Sequence, residues 1–171
     1  HGLTIGELAM MINGEGWLKD GVVCDLKVIP VKGWDHSMKY SLPVKPSPNL
    51  PNDLSIELYP SLCLFEGTDI SVGRGTYEPF QQIGHPSFSG FKDEFTPVSI
   101  PGMSKYPKHQ DKTCHGIKFS SANAIQGFDI SYLIDLYNRF ENKNHFFIPY
   151  FNTLAGTNQL HDQIIAGMSE E

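Results

Sequence analysis

Apolar residues recur at intervals of three and four positions in three parts of the chain, the spacing that places side chains on one face of an α-helix. The pattern predicts helices over residues 5–12, 129–137 and 157–168. Thr4 and Glu7 have the spacing of a capping box, in which each side chain bonds the backbone amide of the other residue. The first helix is therefore expected to begin directly after Thr4.

Shorter runs of apolar and polar residues lie between these helices. They predict strands over residues 25–31, 77–86 and 115–120, and a short helix over residues 53–58, capped by Asn52-Asp53 and stopped by Pro60. Residues 87–113 are rich in Phe, Pro, Ser and Lys without a regular period, so we expect a long surface loop there. Together these elements predict an α+β fold, with a small mixed sheet flanked by helices.

The most unusual stretch of the chain runs from residue 59 to residue 80. It begins apolar and then becomes polar, with three glycines between positions 67 and 75. Glycine lets the backbone adopt conformations closed to other residues and lets a ligand come close. Glu66 lies at the mouth of the apolar run and Arg74 lies between two glycines, which is the composition of a binding site. A structural loop, with Arg74 bonded to backbone carbonyls and Glu66 capping a turn, explains the same composition.

Length and charge limit the classes of protein that this chain can belong to. At 171 residues it is long enough for one domain that buries most of its apolar surface. A net charge of −6 argues against a nucleic-acid or anionic membrane partner. No apolar run approaches the roughly 20 residues of a membrane span. We therefore expect a single globular domain over residues 1–171, with no nucleic acid partner and no membrane span.

The cysteines and histidines do not indicate a metal site. The three cysteines leave at least one thiol unpaired. Cys24 and Cys63 lie in apolar contexts, where we expect buried free thiols. Neither Cys-x-x-Cys nor paired-His spacing is present, and His109 and His115, on either side of Cys114, adjoin or lie in the predicted long loop. We therefore predict no metal ion and no cofactor.

The glycine-rich stretch resembles a known family. Residues 66–76, Glu-Gly-Thr-Asp-Ile-Ser-Val-Gly-Arg-Gly-Thr, followed by Pro79-Phe80 and Gly84-His-Pro86, are similar to the C-terminal half of the exo-β-N-acetylmuramidases. These are bacterial glycoside hydrolases of peptidoglycan and cell wall turnover, long catalogued as a domain of unknown function. Further segments match in the same order at residues 1–8, 46–51 and 154–157. The resemblance therefore extends over nearly the whole chain.

Three positions depart from the family pattern. Asp69 stands where the family often has Asn, Val72 where it often has Glu, and His85 where a small residue is usual. These differences bear on fine substrate preference more than on membership of the family.

The resemblance implies a two-domain enzyme. Residues 1–171 are then its C-terminal domain, cut from a longer chain, and a missing N-terminal Rossmann-like domain is the partner that brings the principal catalytic carboxylate. The substrate is a saccharide that contains N-acetylmuramic acid, bound between the domains and released from the non-reducing end of a glycan. The chain by itself is expected to be inactive. The substrate also implies a secreted or periplasmic location.

Several residues are candidates for this chemistry. Arg74 is expected to pair with the lactyl carboxylate of muramic acid, because a planar guanidinium binds a carboxylate through two prongs. Glu66 is the candidate catalytic acid, since partial burial after an apolar run favours the protonated form that an acid needs. The remaining candidates for contacts with the saccharide are Thr68, Thr76, Asn49 and His85.

Other interpretations remain open at this stage. Four prolines between positions 42 and 51 hold Asn49 in a nearly fixed pose, but the same segment is explained equally well as a rigid connector. His85 precedes a proline and has the context of a turn histidine. The whole chain could instead be a non-catalytic module that binds glycans or other partners, with Trp34 stacking on a sugar ring.

Overall fold

The computed structural model describes residues 2–123, 125 and 127–167. The chain divides into two compact units, residues 1–40 and 41–171, where the sequence led us to expect one domain. None of the helices in the described residues has the length and apolar character needed to cross a membrane.

The first unit contains helix α1, Ile5–Gly14. The predicted capping box is confirmed, because the backbone amide of Glu7 donates to the Thr4 hydroxyl over 3.2 Å and that of Thr4 donates to Glu7 Oε2 over 2.7 Å. A short 3₁₀ turn follows at Lys19–Gly21.

The strand predicted over residues 25–31 is wrong. These residues have no regular secondary structure, and within the described part of the chain they pair with no strand. A strand needs a neighbour for its backbone hydrogen bonds, and its apolar side chains need a surface to cover them. Here Ile29 and Val31 are 82% and 75% exposed, so the alternating pattern is present in the sequence but no sheet covers it.

The second unit begins its regular structure with helix α2, Asp53–Leu62, capped by Asn52 as predicted. The helix does not stop at Pro60 but continues through it into a 3₁₀ turn, Cys63–Gly67. Proline inside a helix removes one hydrogen bond. The burial of Leu62 and Phe65, both nearly inaccessible to solvent, offsets that loss.

A three-stranded sheet forms the middle of the second unit. Its strands are β1 (Gln82–His85), β2 (Asp93–Phe95) and β3 (Cys114–Lys118), in the order β1-β3-β2. Both pairings are antiparallel, so the prediction of a mixed sheet is wrong, and β2 lies in the stretch predicted to be irregular. Two glycines face each other at Gly84 and Gly116, and a Cβ added at Gly116 would lie 1.9 Å from a carbonyl oxygen of β1.

Helices follow the sheet in sequence. They are α3 (Ser131–Arg139), α4 (Lys143–Phe146), α5 (Phe151–Ala155) and α6 (Gln159–Ala166). Helix α3 starts two residues later than predicted, and the carboxylate of Asp129 accepts from the backbone amide of Ser131 over 2.7 Å instead of occupying the cap position. The end of the predicted last helix, at residue 168, lies outside the described residues.

One hydrophobic core connects these elements. Its fully buried members come from α2, the 3₁₀ turn, the glycine-rich stretch and the later helices, and they include Leu58, Phe65, Phe80, Phe146 and Phe151. Gly67 packs directly on α5, since a Cβ there would lie 2.5 Å from the Cα of Phe151. The start of the glycine-rich stretch is therefore fixed on the core.

Candidate functional site

The glycine-rich loop, residues 66–76, is tied to its neighbours by backbone hydrogen bonds. The amide of Asp69 donates to the carbonyl of Phe146 over 2.7 Å, and Ser71 pairs with Gly84 of β1. Gly75 adopts a φ of +85°, and a Cβ there would lie 2.6 Å from Pro107. Only glycine fits this position, because both the left-handed backbone and the contact with Pro107 exclude a side chain.

A cavity of about 330 Å³ lies between this loop and residues 103–108. Its charged lining residues are one carboxylate, Glu66, and three cations, Arg74, Lys105 and Lys108. The excess of positive charge favours an anionic ligand, although the whole chain is acidic. Glu66 and Arg74, the two residues that the sequence singled out, thus line one cavity, and sequence reasoning did not point to the two lysines.

Glu66 and Arg74 form an ion pair at this cavity. Arg74 Nη1 donates to Glu66 Oε1 over 2.9 Å. The side chain of Arg74 is 41% exposed and that of Glu66 is 24% exposed. A guanidinium has five N–H donors in a planar fork, so this contact leaves donors for an incoming carboxylate. The contact with Glu66 therefore accounts for the position of the Arg74 side chain, without the bonds to backbone carbonyls that a purely structural loop would use.

The two threonines have structural roles. Thr68 is fully buried, and its hydroxyl donates to the carbonyl of Phe65 and accepts from the amide of Ile70. The hydroxyl of Thr76 donates to the carbonyl of Gly73 over 2.7 Å and accepts from Gln82 Nε2 over 2.8 Å. Both hydroxyls are occupied in building the loop, so the structure does not present them to a ligand.

Asn49 also has a structural contact. The side chain is buried, and its Nδ2 donates to the carbonyl of Met103 over 3.0 Å. Asn49 therefore fastens the proline-rich segment to the loop that lines the cavity, as a rigid connector would, while its buried Oδ1 has no hydrogen-bond partner among the described residues.

His85 lies in a cluster with Asp69 and His109, three residues from three separate segments. His85 Nε2 lies 3.2 Å from Asp69 Oδ2, and His109 Nε2 lies 2.6 Å from the carbonyl oxygen of Asp69. The two imidazole rings are perpendicular, with centroids 4.5 Å apart. His85 is therefore a half-buried member of a polar cluster and not an exposed turn residue.

The hydrogen bonds of this cluster indicate where its protons lie. The backbone amide of Ser87 donates to His85 Nδ1 over 3.1 Å, so we infer that the proton of the neutral ring is on Nε2 and is donated to Asp69. His109 Nε2 faces a carbonyl oxygen, which can only accept, so it also carries a proton. One carboxylate and two imidazoles within 4.8 Å have the composition of a divalent metal site. In the arrangement described, the imidazoles bond Asp69 and thereby join three segments, so the cluster positions the loops.

Lys108 fixes the same loop from the cavity side. Its ammonium group donates to the carbonyl oxygens of Thr68 and Ile70, on either side of Asp69. Burial lowers the pKa of Lys108, while the negative charges of Asp69 and Glu66 oppose that shift. Sequence reasoning missed Lys108 and His109 because they lie about 40 positions from the loop, in a stretch with no regular pattern.

The cysteines and Trp34 lie apart from the cavity lining. All three thiols are free, but Cys24 is exposed and Cys63 only partly buried, whereas the buried thiol is that of Cys114. Burial, together with the charge of Asp69, raises the pKa of Cys114 to about 12. Trp34 is in the first unit, is 38% exposed and contacts His36, with ring centroids 5.2 Å apart.

The second unit is thus a small α+β domain with a cavity suited to an anion, and comparison with known proteins identifies its family. Residues 57–171 match the family model described as "Exo-beta-N-acetylmuramidase NamZ, C-terminal", and residues 1–54 match its N-terminal counterpart. The chain belongs to the exo-β-N-acetylmuramidase NamZ family. The resemblance drawn from the glycine-rich motif is therefore confirmed.

Individual relatives agree with this assignment. The peptidoglycan β-N-acetylmuramidase NamZ of Bacillus subtilis is 39% identical over 132 residues, which cover 69% of this chain and 31% of that protein. A DUF1343 family protein from Bacteroides fragilis has a solved structure with a TM-score of 0.89 and 47% identity, covering 99% of this chain and 49% of the other. A second DUF1343 family protein from the same organism has a solved structure with a TM-score of 0.68 and 21% identity, covering 95% of this chain and 48% of the other. At this identity the likeness shows the fold alone. The chain therefore covers between 31% and 49% of the length of these relatives.

The His85 cluster generates a prediction about acid stability. Burial, followed by the positive charge of His109, lowers the pKa of His85, while Asp69 opposes the shift and nearby Lys108 adds to it. A lowered pKa means that the unfolded chain takes up a proton before the folded one does. The stability contributed by a neutral His85 is then complete above about pH 6.5 and is lost as the pH falls below it towards the folded pKa.

We therefore expect His85→Gln to reduce the loss of stability between pH 7 and pH 5. Urea unfolding at several pH values measures this, with His115→Gln on β3 as a histidine outside the cluster for control. A wild type and a His85→Gln variant that lose equal stability on acidification would contradict the prediction.

Proposed function

We propose that this chain is the C-terminal part of an exo-β-N-acetylmuramidase that releases terminal N-acetylmuramic acid from the non-reducing end of peptidoglycan glycans. In this proposal the second unit lines the substrate cleft. The observation that carries it is the cavity between the glycine-rich loop and residues 103–108, where Arg74 is oriented by Glu66 and two lysines add positive charge. The identity of the Bacillus relative as a peptidoglycan β-N-acetylmuramidase supports the substrate class.

N-acetylmuramic acid differs from N-acetylglucosamine by a lactyl group that ends in a carboxylate. A site that selects muramic acid needs a cation at a fixed position for this group, and arginine supplies one with a planar, two-pronged geometry. Arg74 has donors beyond the one bonded to Glu66 and is about two-fifths exposed. We therefore assign the lactyl carboxylate to Arg74.

Glu66 fits a positioning role better than the acid role predicted from the sequence. A catalytic acid must donate a proton to the leaving oxygen, whereas this carboxylate accepts from a guanidinium 2.9 Å away. Among the described residues that line the cavity, Glu66 is the only carboxylate. The proposal therefore places the principal catalytic carboxylate on another part of the protein.

We assign that part to a Rossmann-like N-terminal domain that completes the first unit. The match of residues 1–54 to the N-terminal family model supports this assignment. The exposed apolar side chains of residues 22–31 support it too, because they form an apolar surface that a further part of the protein would cover. A peptidoglycan substrate would place the protein outside the cytoplasm, secreted or periplasmic.

A non-catalytic glycan-binding module is the second candidate function. It is favoured by Tyr77 and Tyr106, which are 82% and 80% exposed beside cavities of the second unit, where aromatic rings can stack on sugars. Saccharide binding that needs the tyrosines but not Arg74 would support this candidate over the enzyme.

Arg74→Lys tests the carboxylate contact. An ammonium group cannot reproduce the planar fork, so we expect a loss of roughly 1.5–3 kcal/mol, about ten- to hundredfold in affinity, for N-acetylmuramic acid. N-acetylglucosamine, which lacks the lactyl group, should bind the wild type and the variant about equally weakly. Calorimetric titrations of both sugars to the full-length protein measure this. Equal losses for the two sugars, together with a lower melting temperature, would leave Arg74 with a structural role only.

Glu66→Gln separates positioning from acid catalysis. A glutamine oxygen still accepts from Arg74, so a positioning residue should lose less than about tenfold in kcat/KM, whereas removal of a general acid costs about 10² to 10⁴. Glu66→Ala, which cannot hold Arg74, is the matched comparison and should also weaken the binding of N-acetylmuramic acid. Loss of turnover by two or more orders of magnitude in Glu66→Gln, with ligand binding intact, would restore the acid role.

The assignment of the catalytic carboxylate to an N-terminal domain gives a further prediction. Purified residues 1–171 should not hydrolyse a chromogenic N-acetylmuramide, because the cavity offers only one carboxylate and glycoside hydrolysis requires an acid and a partner group. The full-length protein, assayed in parallel, is the positive control. Turnover by the 171-residue chain would contradict the assignment of the catalytic carboxylate to the N-terminal domain.

A further inference from the structure

A second cavity adjoins the charged one. It has a volume of about 410 Å³ and is lined by three prolines, Pro46, Pro48 and Pro51, together with Tyr77, Met103 and two residues of the same segment. Met103 lines both cavities, so it forms the wall that they share. The two cavities are therefore neighbouring compartments of the second unit.

The wall between the compartments is rigid. Asn49 Nδ2 donates to the carbonyl of Met103 over 3.0 Å, and the turn that carries Asn49 is closed by a bond from the Leu50 amide to the Ser47 carbonyl. Proline fixes the backbone on both sides of this turn. The second compartment is therefore formed before any ligand arrives, which lowers the entropy lost on binding.

The chemistry of the two compartments differs. The first has four charged lining residues, whereas the second has one, Lys45, which is exposed. The second instead offers proline rings, a methionine and the ring of Tyr77, which is 82% exposed. The ring of Tyr77 is therefore accessible for stacking on a flat ligand, such as a sugar ring, beside the groove.

We propose that the second compartment is a saccharide subsite, in which Tyr77 stacks on the uncharged N-acetylhexosamine that follows the terminal muramic acid in the glycan. This inference rests on the proposed function, because the position of the muramic acid defines which sugar comes next. The apolar walls suit the face of a neutral pyranose ring and do not suit a second lactyl carboxylate. Tyr77 is thus a residue that selects a longer glycan over a single sugar.

The test compares two substrates of the full-length protein. One is the disaccharide of N-acetylmuramic acid and N-acetylglucosamine, which fills both compartments, and the other is methyl N-acetylmuramide, which fills only the first. Tyr77→Ala should raise KM for the disaccharide about five- to tenfold, the magnitude expected for loss of one stacking contact. It should leave kcat/KM for the methyl glycoside within about twofold of the wild type.

Two variants serve as controls. Tyr77→Phe keeps the ring and should behave like the wild type, which excludes a role that depends on the hydroxyl group. Phe128→Ala removes an aromatic ring that is 65% exposed and is not in the lining of either cavity, so it should change neither substrate.

The outcomes separate this inference from the proposed function. Equal changes for both substrates in Tyr77→Ala, or no change for either, would overturn the subsite while leaving the enzyme assignment intact. A raised KM for a muramoyl peptide, with an unchanged KM for the disaccharide, would show a peptide in the groove and would also overturn it. Wild-type protein that releases N-acetylmuramic acid from neither substrate would overturn the proposed function, and this inference with it.

Discussion

Three consecutive carbonyl groups, those of Thr68, Asp69 and Ile70, all accept hydrogen bonds from one dipeptide, Lys108-His109. The rest of the site depends on this interaction, because it joins the two segments that face each other across the charged cavity. A buried carbonyl without a partner is costly, so each of these bonds resists separation of the segments. The glycine-rich loop therefore derives its shape from residues far along the chain as much as from its own glycines.

The ion pair between Glu66 and Arg74 plays a different part. Both side chains are accessible to water, and exposed ion pairs contribute at most about 1 kcal/mol to stability. Their contact is better understood as orientation, since it holds the guanidinium at one place on the cavity wall. An ion pair of this kind contributes little to the free energy of unfolding. The hydrogen bonds that hold the loop come instead from neighbouring side chains, such as the hydroxyls of Thr68 and Thr76.

Local sequence patterns predicted the parts of this protein that depend on nearby residues. The capping box of α1, the Asn52 cap of α2 and the apolar face of α3 all involve residues within a few positions of each other. The features that were missed depend on distant contacts. Strand β2 exists because β3 is there to pair with it, and residues 25–31 lack the neighbour that a strand requires. The same reason applies to the site, where the glycine motif located Arg74 but could not locate Lys108.

The contact of Gly75 with Pro107 has a consequence for how this family can diversify. The Gly75 carbonyl accepts from the amide of Val98 over 2.8 Å, and its Cα lies so close to Pro107 that no side chain fits between them. The gap between the two walls at that point is therefore set by the main chain of Gly75 against the ring of Pro107, and a side chain added at Gly75 would have no room there. The width of the cavity is therefore fixed at this contact. Differences in the ligands that such a cavity binds must come from the side chains at its edge.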